Sequence, residues 1–236
     1  MDETAQLNLP LLQPAQAQKH VTVNEAMMRL DALVQLVLVS RVLATPPAVI
    51  SDGVVYGVPN GAVNDWAGHD GEVAIGSNGG WAFVTPKAGW SAWITDEGQR
   101  ALHDGGNWRS GMVTLSPFGA GARLGVAEIE HTIAVGAVST TSTVIPSHAV
   151  VLGVTARVVN AITGSLSTWQ LGTPGAPDRF GSGLGVGEGS WAKGVLSSPL
   201  TYYAPTALEL TATGGDFTGG QVRLSVHFLE LTLPSI

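Results

Sequence analysis

The stretch GGWAFVTPKAGWSAW, residues 79–93, places Trp81, Trp90 and Trp93 within thirteen residues, with Trp66 before it and Trp108 after it. Tryptophan and tyrosine rings stack on the apolar faces of sugars while their polar edges stay wet, so aromatic clusters of this kind are candidates for carbohydrate binding. The same rings also fill the core of a small module. Trp81 and Trp108 each follow a glycine turn and read as core. Trp90 and Trp93 are flanked by Gly89, Ser91 and Ala92, and at least one of them reads as exposed. A second aromatic group, Trp169, Trp191, Tyr202 and Tyr203, falls in or beside loops of the C-terminal zone, where ligand sites tend to be carried. Asp178 and Arg179 lie in the same interval and have the groups to hydrogen-bond sugar hydroxyls. These eight residues, Trp90, Trp93, Trp169, Asp178, Arg179, Trp191, Tyr202 and Tyr203, are the carbohydrate-binding candidates. Between them Gly181, Gly183, Gly185, Gly187 and Gly189 alternate with other residues. In an extended chain they would bare one face for a close approach, whereas a flexible loop is the plainer expectation.

Catalytic chemistry is missing from the pattern. There is no Gly-x-Ser-x-Gly elbow, no His-Glu-x-x-His helix and no phosphate-binding glycine loop. The six histidines have no metal-ligand spacing, and His69-Asp70-Gly71 and His103-Asp104-Gly105 read as turns. A polysaccharide hydrolase needs two carboxylates across a cleft. Glu188, Asp178 and Asp216 are present, but spacing selects no pair. The expectation is a non-enzyme with no metal, cofactor or catalytic residue.

Composition narrows the class. Of 236 residues only 12% are charged and 31 are glycine, which favours an all-β chain. The net charge of −7 comes with no basic cluster, which argues against nucleic acid as a partner. With no cysteine there are no disulfides or thiolate zinc sites, and the redox compartment stays open. Met1-Asp2-Glu3 is acidic where an export signal would be basic, and the apolar run near Leu36–Val39 is too short to insert in a membrane. Release by lysis, or within a particle, is compatible with both features.

Four zones must position these residues. Residues 1–45 read as an extended lead, broken by Pro10 and Pro14, and then one helix entered through a capping box at Thr22-Val23-Asn24-Glu25. Met27, Leu30, Val34 and Val37 follow at three- and four-residue steps, widened by Leu33 and Leu36. Met27, Leu30, Leu33, Val34 and Val37 are the oligomerisation candidates, in an assembly of trimeric or pentameric order. Residues 46–112 repeat a strand, a glycine turn and a tryptophan, with Gly71, Ala74, Gly79 and Trp81 matched by Gly98, Ala101, Gly106 and Trp108. That describes a small antiparallel module of β-hairpins. Residues 113–127 are rich in small side chains and read as a linker. Residues 128–236 alternate as strands of a β-sandwich, with a jelly roll as the expected form. The fold class is therefore mainly β, behind one oligomerising helix.

The run LLQPAQAQKHVTVNE, residues 11–25, resembles the opening of an uncharacterised domain family found in tail-fibre and spike proteins of phages and phage-like gene transfer agents. WAGHDG at 66–71 and GWSAW at 89–93 are similar to later parts of that domain, while DRFG at 178–181 and FTGGQVR at 217–223 resemble phage-type receptor-binding jelly rolls. The resemblance implies a structural component of a virion-type particle that attaches it to a cell-surface glycan. It also implies tail, baseplate or capsid proteins as neighbours. It lends no catalytic residues. Two other readings stand beside it: a fibre or baseplate connector without a ligand, and a glycan-cleaving tailspike.

Overall fold

The structure is a computed structural model that describes residues 3–12 and 19–234. Within the motif at 11–25, residues 13–18 lie outside the described residues. The chain divides into two compact units, Met1–Leu115 and Ser116–Ile236.

Among the described residues the first unit holds one α-helix, α1 (Lys19–Val34), a 3-10 turn at Asn64–Trp66 and eight short strands: β1 (Val37–Leu38), β2 (Val55–Gly57), β3 (Val73–Ser77), β4 (Gly80–Val84), β5 (Ser91–Ile94), β6 (Gln99–His103), β7 (Trp108–Ser110) and β8 (Met112–Leu115). Strands β2-β3-β4 form one antiparallel sheet. In the other, ordered β1-β5-β6-β7, only β1 runs parallel to its neighbour. The expected hairpins are β3–β4 and β6–β7. Asn78 and Gly79 turn the first with positive φ at both positions, as a tight hairpin whose twist matches its strands requires. In the second, the Asp104 carboxylate accepts from the amides of Gly106 and Asn107 at 2.9 and 2.7 Å. The two repeats lie in different sheets.

Helix α1 begins at Lys19, three residues before the expected cap, so Thr22 is inside it. The box residues are engaged elsewhere. Asn24 accepts from the Leu12 amide at 2.8 Å and donates to the Leu12 carbonyl at 3.0 Å, while Glu25 pairs with Arg29 one turn on. Residues 1–45 are not a zone apart either. Ala32, Leu36 and Leu38 share a core with Val55, Val73, Ile75, Ala92, Ile94, Ala101 and Trp108.

Asp31 is the central polar group of this unit and is 1% exposed. Its carboxylate accepts from the Thr4 hydroxyl at 2.7 Å and from the amides of Gln6 and Leu7 at 2.9 and 2.6 Å. A buried carboxylate is tolerated when several donors replace its hydration. The lead is thereby tied to α1, and Ala5 closes over Gly53, where an added Cβ would lie 2.4 Å from the Ala5 Cβ.

The second unit is built from β9 (Gly121–Thr132), β10 (Val138–Ile145), β11 (Ala149–Gly164), β12 (Thr168–Thr173), β13 (Ala176–Leu184), β14 (Trp191–Tyr202), β15 (Thr206–Thr213) and β16 (Phe217–Thr232). Its strands form two antiparallel layers, ordered β10-β15-β12-β13 and β14-β11-β16-β9. One core lies between them, with Ile145, Trp169, Leu171, Leu208 and Leu210 from the first layer and Val151, Val154, Val222, Leu224, Val226 and Phe228 from the second. Period-two alternation explains why β16 buries Val222, Leu224, Val226 and Phe228 and turns Arg223, Ser225 and His227 outward.

The segment read as a linker, 113–127, is instead most of β8 and the first half of β9. β9 pairs with β16 in unbroken register from Gly121↔Thr232 to Thr132↔Gln221. The small residues that suggested a linker have a packing reason. A Cβ at Gly125 would lie 2.5 Å from the Phe228 ring, so glycine leaves room for that ring.

Replacing Asp31 by alanine should destabilise the first unit by on the order of 3 kcal/mol, because the buried Thr4 hydroxyl and two part-buried amides lose their acceptor. Hydrogen exchange should show residues 3–12 losing protection first. Wild-type protection there in Asp31→Ala would refute the clamp.

Candidate functional site

Most of the tryptophan cluster is structural. Trp66 is fully buried and meets Tyr56 and Trp81 at ring-centroid distances of 5.3 and 5.2 Å. Tyr56 and Trp81 are edge-on at 5.9 Å, closing a three-ring core on which Phe83 packs. Trp108 is buried against the edge of His103 at 4.9 Å. The indole N–H groups of Trp66, Trp81 and Trp108 are buried without a hydrogen-bond acceptor. Of the middle candidates, Trp90 is half-buried against the core, and Trp93 is 48% exposed.

The histidine turns are also tied down. His69 lies flat on Phe83 at 3.5 Å, with its Nδ1 2.7 Å from the Glu72 carboxylate, which also accepts from Thr85. The His69 hydrogen bond holds the Glu72 carboxyl below its ordinary range. His103 is a strand residue rather than a turn residue, and burial pushes its imidazole below its ordinary range. Burial raises Glu97 and Asp104, but their hydrogen bonds outweigh it and leave both carboxyls low. Glu97 is held by Arg41 and Ser110, and Asp104 by the Asn107 and Gly106 amides and by Arg109. No group of three metal-ligating side chains occurs among the described residues. None of their helices is long and apolar enough to cross a membrane.

The C-terminal candidates do not form one site. Trp169 is 1% exposed, sits in the sandwich core and donates its indole N–H to the Gly185 carbonyl at 2.9 Å, so it is unavailable to a ligand. Tyr202 packs against the same core with its hydroxyl buried. Trp191 is 64% exposed at the start of β14, and Tyr203 is 77% exposed just past its end, edge-on to His148. Trp191 and Tyr202 pair with Arg157 and Ala149 of β11, eight residues apart on that strand, which is roughly 27 Å. Asp178 and Arg179 are exposed on β13. The neighbouring Phe180 backbone lies against Gly194, where an added Cβ would be 2.0 Å from the Phe180 oxygen. Arg179 is one residue from that contact on β13 and Trp191 three residues from it on β14, in different layers.

The alternating glycines neither bare one face nor form a free loop. Gly181 and Gly183 belong to β13, and Gly183 and Gly189 have φ of 64° and 81°. The segment 185–190 is fastened by the Trp169 indole, by the Ile162 amide on the Val186 carbonyl and by Arg157 on the Gly189 carbonyl.

The assembly candidates divide. Leu30 and Val34 are 50% and 54% exposed, and Met27 is half-buried, while Met28, Asp31 and Ala32 point inward. Val23 is also exposed and extends the exposed stripe to Val23, Met27, Leu30 and Val34, in steps of four, three and four. Leu33 turns toward the core instead. Val37 is not helical. It lies on β1 as the register partner of Trp93, both outward, while Leu38 and Ile94 beside them are buried.

Residues 23–109 match a family described as a protein of unknown function, DUF2793. A solved structure, the capsid asymmetric unit of cyanophage Pam1, is similar at 22% identity, over 50% of this chain and 91% of that one, with a TM-score of 0.35. No curated protein sequence matches the chain.

Acid should weaken the first unit more than the second. Imidazoles with lowered folded-state pKa, His103 and His131, contribute stability that is full above their ordinary value of 6.5 and is lost as pH falls below it. Lowered carboxyls contribute stability that is full above about pH 4.5 and is lost as pH falls further. Glu72, Glu97, His103 and Asp104 all lie in the first unit, and His131 alone in the second. Calorimetry and hydrogen exchange at pH 7, 5.5 and 4 should show the first unit opening first. Equal loss in both units would contradict this assignment.

Proposed function

We propose that this chain is a structural component of a phage-like particle, a tail fibre or spike, which self-associates through α1 and presents its second unit to a cell-surface polysaccharide. The observation that carries the reading is the apolar stripe of Val23, Leu30 and Val34, exposed, with the half-buried Met27, on a helix whose inward face is already committed to the core. Steps of four and three residues suit packing against a copy of the same helix. Val37 and Trp93 add an outward apolar pair in the same unit.

We read the second unit as a jelly roll. Counted from β9 as first to β16 as eighth, its layers are ordered 1-8-3-6 and 2-7-4-5. First and last strands adjacent, with all neighbours in sequence but the fourth and fifth split between layers, is the order of eight-stranded double-sheet jelly rolls. The glycan contact is assigned to Trp191, with Arg179 and Asp178 along the neighbouring strand. Trp191 supplies the open ring face, and the two charged side chains supply hydroxyl partners.

Light scattering should give an oligomeric mass for the unmodified chain, with a trimer expected, and Leu30→Glu with Val34→Glu should convert it to monomer or aggregate. A monomeric wild type would end the assembly reading. On purified capsular and lipopolysaccharide sugars, Trp191→Ala should lose about 1 kcal/mol of stacking, a several-fold drop in affinity. Normal binding by Trp191→Ala with loss in Tyr203→Ala would move the site to the far end of β14. Absence of any glycan binding by an intact oligomer would favour a connector.

A further inference from the structure

The outward face of the layer β14-β11-β16-β9 changes character along its strands. Register sets the outward residues in rows. One row reads Trp191, Arg157, Arg223, Glu130, and the next Lys193, Thr155, Ser225, Glu128. The third reads Val195, Gly153, His227, Val126, and beyond it Thr201, Val150, Leu229 and Leu124 stand side by side. Polar rows thus give way to apolar ones, and Val195, Val126 and Leu124 are 71%, 54% and 50% exposed. Leu152, beside them, helps line a shallow cavity of about 210 Å³ with Gly153, Lys193, Val195 and His227.

Charge runs across the face as well as along it. Arg157 and Lys193 lie on the β11 and β14 side, and Glu128 and Glu130 on β9. Glu130 is held by Arg223 at 2.7 Å and Glu128 by the Ser225 hydroxyl at 2.9 Å. Lys193 has no ion pair among the described residues. A rotation axis parallel to the strands preserves height along them and brings the β14 side of the face to the β9 side of the next copy. Lys193 then meets Glu128, and Val195 meets Val126, both in matching rows. An axis across the strands would lay apolar rows on charged ones.

We propose that this face is a contact between copies of the chain, arranged around an axis parallel to its strands, with Lys193 and Val195 of one copy against Glu128 and Val126 of the next. The inference rests on the proposed self-association and assigns a second surface to it. Four strands about 4.8 Å apart and some eight residues at about 3.4 Å give a flat footprint on the order of 400 Å². A stable interface buries about 800 Å² per partner, so this contact works alongside the α1 stripe and does not replace it. Trp191 falls at the rim, at the end of the outermost row.

The chain has no cysteine, which makes disulfide trapping specific. Val126 and Val195 are three strand spacings apart within one copy, roughly 14 Å, beyond the ~7 Å reach of an intrachain disulfide. Full-length Val126→Cys with Val195→Cys, oxidised and run without reductant, should close into covalent multimers of one size, while each single variant stays uncrosslinked. Glu128→Lys should weaken this trapping several-fold, and adding Lys193→Glu should restore it. If the double-cysteine protein stays uncrosslinked while light scattering gives an oligomer, this contact is refuted and assembly through α1 stands. Trapping by Val126→Cys alone would put like edges together and refute the axis. A monomeric wild type with no trapping would overturn both readings.

Discussion

The Asp31 carboxylate fixes the rotation of α1, and much of the first unit follows from that rotation. With Thr4, Gln6 and Leu7 bonded to one buried acid, the helix face bearing Met28, Asp31 and Ala32 has to point inward. The apolar residues a third of a turn away are then left in solvent. Leu30 and Val34 stand in solvent while Asp31, the residue after Leu30, takes the inward direction. A helix with apolar residues on nearly every face would otherwise be free to roll.

The second unit obeys a different constraint. Its layers are held by alternation, with aliphatic and aromatic side chains inward on β11, β12, β15 and β16. Gly125 leaves room for the Phe228 ring, and Gly194 lets the Phe180 backbone come close. Outward residues are thereby released from the packing problem, and the charge gradient from β14 to β9 is carried entirely by them.

Much of this was legible in the sequence because it depends on local chemistry. The glycine turns at Gly79 and Gly106, each followed by a tryptophan, announced the hairpins, and the alternation in residues 222–228 announced a strand with one buried face. What was hidden depends on partners distant along the chain. Asp31 looks like a surface acid until Thr4 and Gln6 are seen to reach it. Trp169 and Trp191 are indistinguishable by type and flanking residues, yet the Gly185 carbonyl receives one indole and solvent the other. Residues 113–127 read as a linker because small side chains mark both flexible chain and tight packing, and only Phe228 decides between them at Gly125. The glycan candidates were scattered for the same reason: proximity in sequence, as between Trp191 and Tyr202, becomes distance when the intervening residues form one extended strand.

The uneven sharing of the tryptophans has a spectroscopic consequence. Five of the seven, Trp66, Trp81, Trp90, Trp93 and Trp108, belong to the first unit, and only Trp169 and Trp191 to the second. Intrinsic fluorescence of the intact chain is therefore mostly a signal from the first unit. The second unit contributes one enclosed emitter and one open to collisional quenchers. A quencher titration would attenuate Trp93 and Trp191 first, so a sugar or a neighbouring subunit that covers Trp191 would be detected as protection from acrylamide without any added label.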